Sequence, residues 1–249
     1  MDTLFISDLH LDPSRPTVID GFLDWLDQQA GKADALYVLG DLFEIWIGDD
    51  DTAPLCQQIS HALSSCVAAG TPVALMHGNR DFLIGDRFLE ASACQLIADP
   101  TVIDLYGRRT LLMHGDLLCT DDHDYQKIRQ QVRNPVWQRA VLAQSLEERR
   151  KLGQQARTES RRSVLGKSRD IMDVNTDAVA RFMAQYQTDL LIHGHTHRPH
   201  IHHTGQGQHL STRIVLGDWY DQGSVLHASP DGKLVLEQRA LQPRQGANG

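Results

Sequence analysis

Short apolar runs that end in polar, metal-binding side chains recur five times along this chain of 249 residues. Strands covered by helices are typically continuous apolar runs, and such sheets bind ligands beyond the carboxyl ends of their strands. The pattern therefore predicts five strands whose carboxyl ends meet at one rim. The segments, each a run with the polar residues that follow it, are 5–10, 36–41, 75–79, 111–114 and 190–197.

Apolar residues also recur at helical spacing over 18–30, 54–69 and 175–187, and each of these segments is predicted to be a packed helix. From Thr188 onward the pattern changes to short runs broken by Gly-rich or Pro-Asp-Gly turns, which predict strands. These strands are predicted near Ile201 and at 213–216, 225–228 and 234–238.

The segment 121–170 is rich in helix formers and strongly charged, with twelve Lys and Arg residues against seven Asp and Glu residues. We interpret it as a helical cap inserted into a core made of residues 1–120 and 171–241, with 242–249 as a flexible polar tail. Its positive charge has two interpretations. It is either a solvated helix face with i,i+4 ion pairs, or a surface that attracts a phosphorylated substrate or an anionic membrane.

Composition agrees with a protein that buries a sizeable core, since 41% of residues are hydrophobic and 22% are charged. The net charge of −8 argues against extended nucleic-acid binding. The first predicted strand begins almost at Met1 and no run of about 18 apolar residues occurs, so we expect a protein of the cytosol or of a membrane surface. Inert thiols in a reducing compartment are expected for the four cysteines, Cys56, Cys66, Cys94 and Cys119.

The polar residues at the predicted rim have the chemistry of a site for two metal ions. Residues two apart on an extended chain point to the same side, so Asp8 with His10, and His195 with His197, can each bind in one region. Carboxylate, amide and imidazole donors without thiolate favour Mn²⁺, Mg²⁺, Fe²⁺ or Zn²⁺. A lone Asp after a strand is more often a cap or turn residue, so the prediction depends on the whole set. Phosphoester hydrolysis is the reaction that such a pair of ions favours.

Along the chain the motifs are Asp-x-His, Gly-Asp, Gly-Asn-Arg-Asp, His-Gly and Gly-His-x-His, and this order resembles that of the calcineurin-like metallophosphoesterases. The resemblance implies an α/β (α+β) fold, a β-sandwich flanked by helices, with two Mn²⁺ per chain. It implies that Asp8, His10, Asp41 and His197 hold one ion, and that Asp41, Asn79, His114 and His195 hold the other. The implied catalytic residues are Asp41, Asn79, Arg80 and His114.

Arg80 departs from the common family pattern, which has histidine after Gly-Asn as the proton donor to the leaving oxygen. A guanidinium holds its proton at all accessible pH and is therefore a poor general acid. An alkoxide leaving group would need that proton, whereas a phosphate monoester, with a second pKa of about 6, is a weaker base. Arg80 suits binding of a second phosphate by two parallel hydrogen bonds, so we hypothesise cleavage of a pyrophosphate linkage. The alternative is a structural or surface arginine.

A closer resemblance is to the bacterial UDP-2,3-diacylglucosamine pyrophosphatases, and it is carried by 7–11, 40–50, 77–83, 113–116, 171–175, 193–199 and 216–220. It implies hydrolysis of UDP-2,3-diacylglucosamine to UMP and 2,3-diacylglucosamine 1-phosphate, a step of lipid A biosynthesis at the cytoplasmic face of the inner membrane. A peripheral, monomeric protein is expected. The residues that match substrate contacts are Asn79, Arg80, Asp122, Ser160, Lys167 and His195.

The cap departs from this family at Val164, where a polar residue is often found. By the same resemblance its apolar residues would shelter acyl chains, although Trp137 and its neighbours also suit ordinary packing.

Two other functions use the same residues. One is hydrolysis of a soluble nucleotide, either a dinucleoside polyphosphate or a cyclic nucleotide, or nuclease activity, and Arg80 argues against substrates with alkoxide leaving groups. The other is a metal-dependent scaffold without turnover, against which the complete set of ligands argues.

Overall fold

A computed structural model describes residues 1–165, 171, 173–205 and 210–241 of the chain. The strands in these ranges are β1 (Asp2–Ile6), β2 (Ala33–Leu39), β3 (Val73–Met76), β4 (Gln95–Ile97), β5 (Thr101–Leu105), β6 (Arg108–Met113), β7 (Leu190–His193), β8 (His200–Thr204), β9 (Ser211–Val215), β10 (Gln222–Ala228) and β11 (Leu234–Ala240). The helices are α1 (Pro16–Gln29), α2 (Pro54–Ala68), α3 (Asp86–Ser92), α4 (His123–Val132), α5 (Pro135–Leu142), α6 (Leu146–Leu165) and α7 (Thr176–Tyr186).

Two sheets pack face to face with helices on their outer sides. One sheet has the order β11-β10-β1-β2-β3-β4 and the other has the order β5-β6-β7-β9-β8. Successive side chains of a strand point to opposite faces of the sheet, so each strand contributes to two cores. In β1, Leu4 and Ile6 face the core under α1 and α2, while Phe5 faces the core between the sheets. In β6, Leu112 faces the inner core and Met113 packs toward α7. The expected fold, an α/β sandwich flanked by helices, is confirmed.

The helices predicted at 18–30, 54–69 and 175–187 are confirmed as α1, α2 and α7, and the four strands predicted beyond residue 200 are β8 to β11. The five strands predicted to carry metal ligands are β1, β2, β3, β6 and β7. Strands β1, β2 and β3 lie in one sheet, whereas β6 and β7 lie in the other. Their ends still meet, because the backbone N–H of His195, after β7, donates to Asp8 Oδ2, after β1, at 2.9 Å.

Helix α1 begins at Pro16, whose ring favours the first helical turn, and its apolar face is buried against the six-stranded sheet. Trp25 is fully buried on this face, and its ring centroid lies 5.6 Å from that of Trp219. Burial of each large apolar side chain contributes about 1.5–3 kcal/mol. This aromatic packing fixes the chain next to Asp218, which bears on the site described below.

The described part of the segment 121–170 is helical, as expected, and the division into core and inserted cap stays a prediction. The side chains of Asp122 and Asn134 cap α4 and α5 by accepting from backbone N–H groups. No helix within the described ranges is both long and apolar enough to cross a membrane. The predicted tail, 242–249, lies outside the described residues.

The four cysteines are free. Burial is the main cause that raises the pKa of Cys56, Cys66 and Cys94 to about 11 and that of Cys119 to about 12. Since thiolates are the reactive form, these raised pKa values favour the prediction of inert thiols.

Candidate metal centre

The predicted ligands lie where the chain turns sharply after its strands. Five of them have left-handed backbone conformations with positive φ, a region that non-glycine residues seldom adopt. These are Asp8 (55°), His10 (49°), Asp41 (54°), His195 (69°) and His197 (54°). Residues held in this way typically cost about 1 kcal/mol or more each and cluster at functional sites. The surrounding structure therefore has to hold them in place.

Glycines and one buried carboxylate allow the loops to approach each other. A Cβ on Gly78 would lie 2.1 Å from Asp41 Oδ1, and a Cβ on Gly194 would lie 2.3 Å from Asp8 Oδ2. Asp81 is fully buried and accepts from the backbone N–H of Gly78 and of Leu42, both at 2.7 Å. Its carboxylate thus braces the loops that follow β2 and β3.

One group of donors forms around Asp8, His10 and His197. The Nε2 atoms of the two histidines are 3.4 Å apart, and Asp8 Oδ1 lies 3.4 Å from His197 Nε2. Asp41 Oδ2 lies 3.7 Å from His10 Nε2. These four residues are the set predicted for the first ion.

A second group forms around Asn79. Its Oδ1 lies 3.1 Å from His114 Nε2 and 3.0 Å from His195 Nδ1. Asp41 Oδ2 lies 3.9 Å from His114 Nε2, so the same oxygen faces both groups. The structure therefore brings together all seven predicted ligands, with Asp41 between the two sets.

The other ring nitrogens of three histidines lie within 3.0 Å of oxygen atoms outside the cluster. His10 Nδ1 lies 3.0 Å from Glu44 Oε2, His197 Nδ1 lies 2.9 Å from Asp218 Oδ2, and His114 Nδ1 lies 2.9 Å from the carbonyl oxygen of Leu39. Such partners fix the tautomer and orientation of metal-binding imidazoles. Sequence reasoning missed Glu44 and Asp218, although both lie in the quoted motifs around Asp41 and Trp219.

The electrostatics of the cluster suit a cation. Although burial lowers the pKa of His114, the carboxylates of Asp41, Asp116 and Asp8 raise it to about 9. Burial likewise opposes protonation of His197, but contacts with Asp218 and Asp8 raise its pKa to about 10. Burial and the neighbouring His114 lower the pKa of His195 to about 3. Protons on two imidazoles thus balance the buried carboxylates in the metal-free protein.

The residues fit a divalent metal. Ligand atoms of Asp8, His10 and His197 lie within 4.8 Å of one another, as do those of Asp8, Asp41 and His114. Among the described residues, Asp8 Oδ1 is buried and accepts no hydrogen bond. A buried carboxylate oxygen without a donor is costly, and a coordinated cation removes that cost. The donors are oxygen and imidazole nitrogen, which hard and borderline divalent ions prefer.

The residues predicted to contact substrate are only partly close to the cluster. The backbone N–H of Arg80 donates to Asp41 Oδ1 at 2.8 Å, and its Nη2 donates to Ser160 Oγ at 3.1 Å. Asp122 caps α4 by accepting from the backbone N–H of Tyr125, whose ring centroid lies 5.7 Å from that of His195. Lys167 and the side chain of Val164 lie outside the described residues.

Helix α4 is tied to the core behind this cluster. Asp116 is fully buried, and its Oδ2 accepts from Tyr125 Oη and from Arg129 Nε, both at 2.8 Å. Arg129 also pairs with Asp99, whose Oδ1 accepts from the backbone N–H of His114 at 3.2 Å. This network anchors one side of the predicted cap to the strand end that carries His114.

Comparison with known proteins identifies the family. A model of the calcineurin-like phosphoesterases matches residues 1–199. A protein of Xanthomonas oryzae pv. oryzae named UDP-2,3-diacylglucosamine hydrolase is 52% identical over 248 residues, which cover 97% of this chain and all of that protein. A protein of the same name from Cellvibrio japonicus is 53% identical over 233 residues, which cover 93% and 97%.

The solved structure of an archaeal phosphodiesterase superposes with a TM-score of 0.50 at 10% sequence identity, covering 96% of this chain and 99% of that one. This likeness concerns the fold alone. The family model, the extent of the relatives' identity and the geometry of the buried Asp and His cluster agree. This chain belongs to the calcineurin-like phosphoesterases.

Proposed function

We propose that this protein hydrolyses the pyrophosphate bond of UDP-2,3-diacylglucosamine, releasing UMP and 2,3-diacylglucosamine 1-phosphate for lipid A biosynthesis. The observation that carries the proposal is identity of 50–53% over at least 93% of the chain to proteins named for this substrate. The soluble-nucleotide alternative is not favoured, because these relatives are named for a lipid-linked sugar nucleotide.

We propose that the catalytic centre would hold two Mn²⁺ ions, with Asp41 among the ligands of both. One would be held by Asp8, His10, Asp41 and His197, and the other by Asp41, Asn79, His114 and His195. Bound divalent ions lower the pKa of water and offset negative charge on phosphoryl oxygens. The protein's part is to keep His114 Nδ1 and His197 Nδ1 on their own acceptors, so that each Nε2 faces the centre.

Arg80 would bind the phosphate that leaves with the sugar. In the described part of the chain, its Nε is buried and has no hydrogen-bond partner, while Nη2 is held by Ser160. A buried guanidinium N–H without an acceptor is costly, and a phosphate oxygen supplies one. When water adds to phosphorus, the P–O–P bond breaks and the leaving oxygen carries the charge of a phosphate monoester. Arg80 stabilises that charge without transferring a proton.

The lipid half of the substrate would lie against the predicted cap. Helices α4 and α5 expose Ile128 (56% exposed) and Val136 (65% exposed), and Leu142 at the end of α5 is 41% exposed. The same segment carries the basic excess, which attracts anionic headgroups. We propose that this surface shelters the acyl chains and places a monomer at the cytoplasmic face of the inner membrane.

The test is hydrolysis of three substrates by the purified protein, each with and without Mn²⁺: UDP-2,3-diacylglucosamine, a dinucleoside polyphosphate and a cyclic nucleotide. We expect rapid, Mn²⁺-dependent formation of UMP from the first substrate alone. Preference for either soluble nucleotide would favour the alternative function. Absence of hydrolysis of all three would favour a scaffold without turnover.

A further inference from the structure

One face of helix α6 lies along the loops that carry the metal ligands. Arg149 is 3% exposed, and its Nη1 donates to the carbonyl oxygen of Ile47 at 2.7 Å. A Cβ on Gly153 would lie 2.9 Å from the side chain of Ile45, so the helix backbone is close to this loop. Further along α6, Arg157 contacts Glu44. The spacing of 149, 153 and 157 is one residue per helical turn, which places all three on one face.

Glu44 joins this helix to a metal ligand. The residue is buried, and its two carboxylate oxygens have different partners. Oε1 lies 2.7 Å from Arg157 Nε on α6, and Oε2 lies 3.0 Å from His10 Nδ1. Both are close polar contacts whose N–H groups do not point straight at the oxygen. The guanidinium of Arg157 also contacts Asp12 Oδ2 at 3.3 Å, just beyond His10 in the chain.

We propose that Arg157 is a positioning residue for the metal centre, and that it couples the docking of α6 to occupancy of the ion bound by His10. Arg157 holds the Glu44 carboxylate beside His10 Nδ1, which keeps Nε2 free to face the ion. The inference rests on the proposed function, because it assigns His10 to a metal. By linkage, an ion that binds His10 more tightly when α6 is docked also stabilises the docked helix.

The direction of the change in Mn²⁺ affinity distinguishes a positioning role of Arg157 from a purely electrostatic one. Arg157 carries a positive charge close to a cation site, so its removal would tighten metal binding if electrostatic repulsion were all that mattered. A positioning role predicts the opposite, because the freed Glu44 no longer orients His10. Loss of a residue that orients a metal ligand typically weakens binding by 10- to 100-fold.

The first experiment titrates Mn²⁺ into metal-free wild type, R157L, E44Q and the double variant by calorimetry. We expect R157L to weaken one of two Mn²⁺ sites by about tenfold and to leave the other unchanged. Because both residues act through the same contact, the double variant should be little weaker than E44Q alone. Unchanged or tighter binding by R157L, or fully additive losses, would overturn the proposal.

The matched control is R150L. Arg150 is the same residue type on the same helix, and its Nη2 lies 2.8 Å from Asp51 Oδ1, which touches no predicted ligand. R150L should bind both ions as wild type does. An equal loss of affinity in R150L and R157L would mean that any weakening of α6 docking has this effect, and would refute the specific role of Glu44.

The second experiment needs no variant, so it remains decisive if R157L does not fold. Hydrogen exchange of full-length wild type is measured with and without Mn²⁺. Saturating Mn²⁺ should slow amide exchange across residues 150–160 of α6 by at least several fold. Equal exchange rates in both states would overturn the coupling.

A further variant distinguishes failure of this inference from failure of the proposed metal assignment. If H10A binds as many Mn²⁺ ions as wild type, His10 is not a ligand and the assignment itself fails. If H10A loses an ion while R157L binds normally, the assignment stands and the link through Glu44 is refuted.

Discussion

Metal binding should release about two protons per chain at pH 7.5, because His114 and His197 hold protons in the metal-free protein. Their pKa values of about 9 and about 10 lie well above this pH. Each would coordinate through Nε2 and keep its Nδ1 proton on the Leu39 carbonyl or on Asp218. Their Nε2 protons therefore have to leave when an ion binds. His195, with a pKa of about 3, contributes none.

The same pKa values determine how proton release and metal affinity depend on pH. At pH 9 about half of His114 and about nine-tenths of His197 are protonated, so release should fall to about 1.4 protons. The raised pKa values also mean that protons compete with the ions more strongly as the pH falls. The apparent affinity of each site should therefore decline by about one power of ten per pH unit below pH 8, because each site contains one of these two histidines.

The measurement is calorimetric titration of Mn²⁺ at pH 7.5 in three buffers with different ionisation enthalpies. The slope of observed enthalpy against buffer enthalpy gives the number of protons released. A slope below about 0.5, or one that does not change between pH 7.5 and pH 9, would refute the assignment of His114 and His197 as protonated ligands.

Three variants test other parts of the structure. D41A should abolish turnover with little change in the circular dichroism spectrum, because it removes the carboxylate between the two donor groups without opening the core; wild-type rates would contradict the site. R80A should reduce hydrolysis of the lipid nucleotide far more than hydrolysis of an activated aryl phosphodiester, and equal losses would contradict the phosphate-binding role. W25A should lower the free energy of unfolding in urea by about 3–5 kcal/mol, since Trp25 is fully buried; a loss below about 1 kcal/mol would contradict its place in the core.

Much of the site could be predicted from the sequence because its ligands follow local signals. His114 directly follows an apolar run, and Asp8 and Asp41 follow one after a single residue, Ser7 or Gly40. Strand ends of this type converge by the geometry of sheets. The family order of the motifs then distinguishes metal ligands from ordinary caps and polar residues. Of the five ligands with left-handed conformations, Asp41 and His195 each directly follow a glycine in the sequence.

The features that could not be predicted from the sequence depend on contacts between distant parts of the chain. The division of five similar strands between two sheets follows from packing of whole layers, which no single run reveals. Strands β4 and β5 and helix α3 were not predicted, because they are short and carry little periodicity. Glu44 and Asp218 resemble any other acidic residue until their histidines are placed beside them.

The pairing of β1 with β10 has a consequence for synthesis of the protein. Strand β1 is made long before its neighbour β10 (Gln222–Ala228), so that edge of β1 stays unpaired until β10 has also left the ribosome. Until then, the unpaired backbone groups of β1 are available to other strands, including those of a second nascent chain. Early binding by a chaperone, or slow completion of the sheet, should therefore limit the yield of folded enzyme more than formation of the helices does.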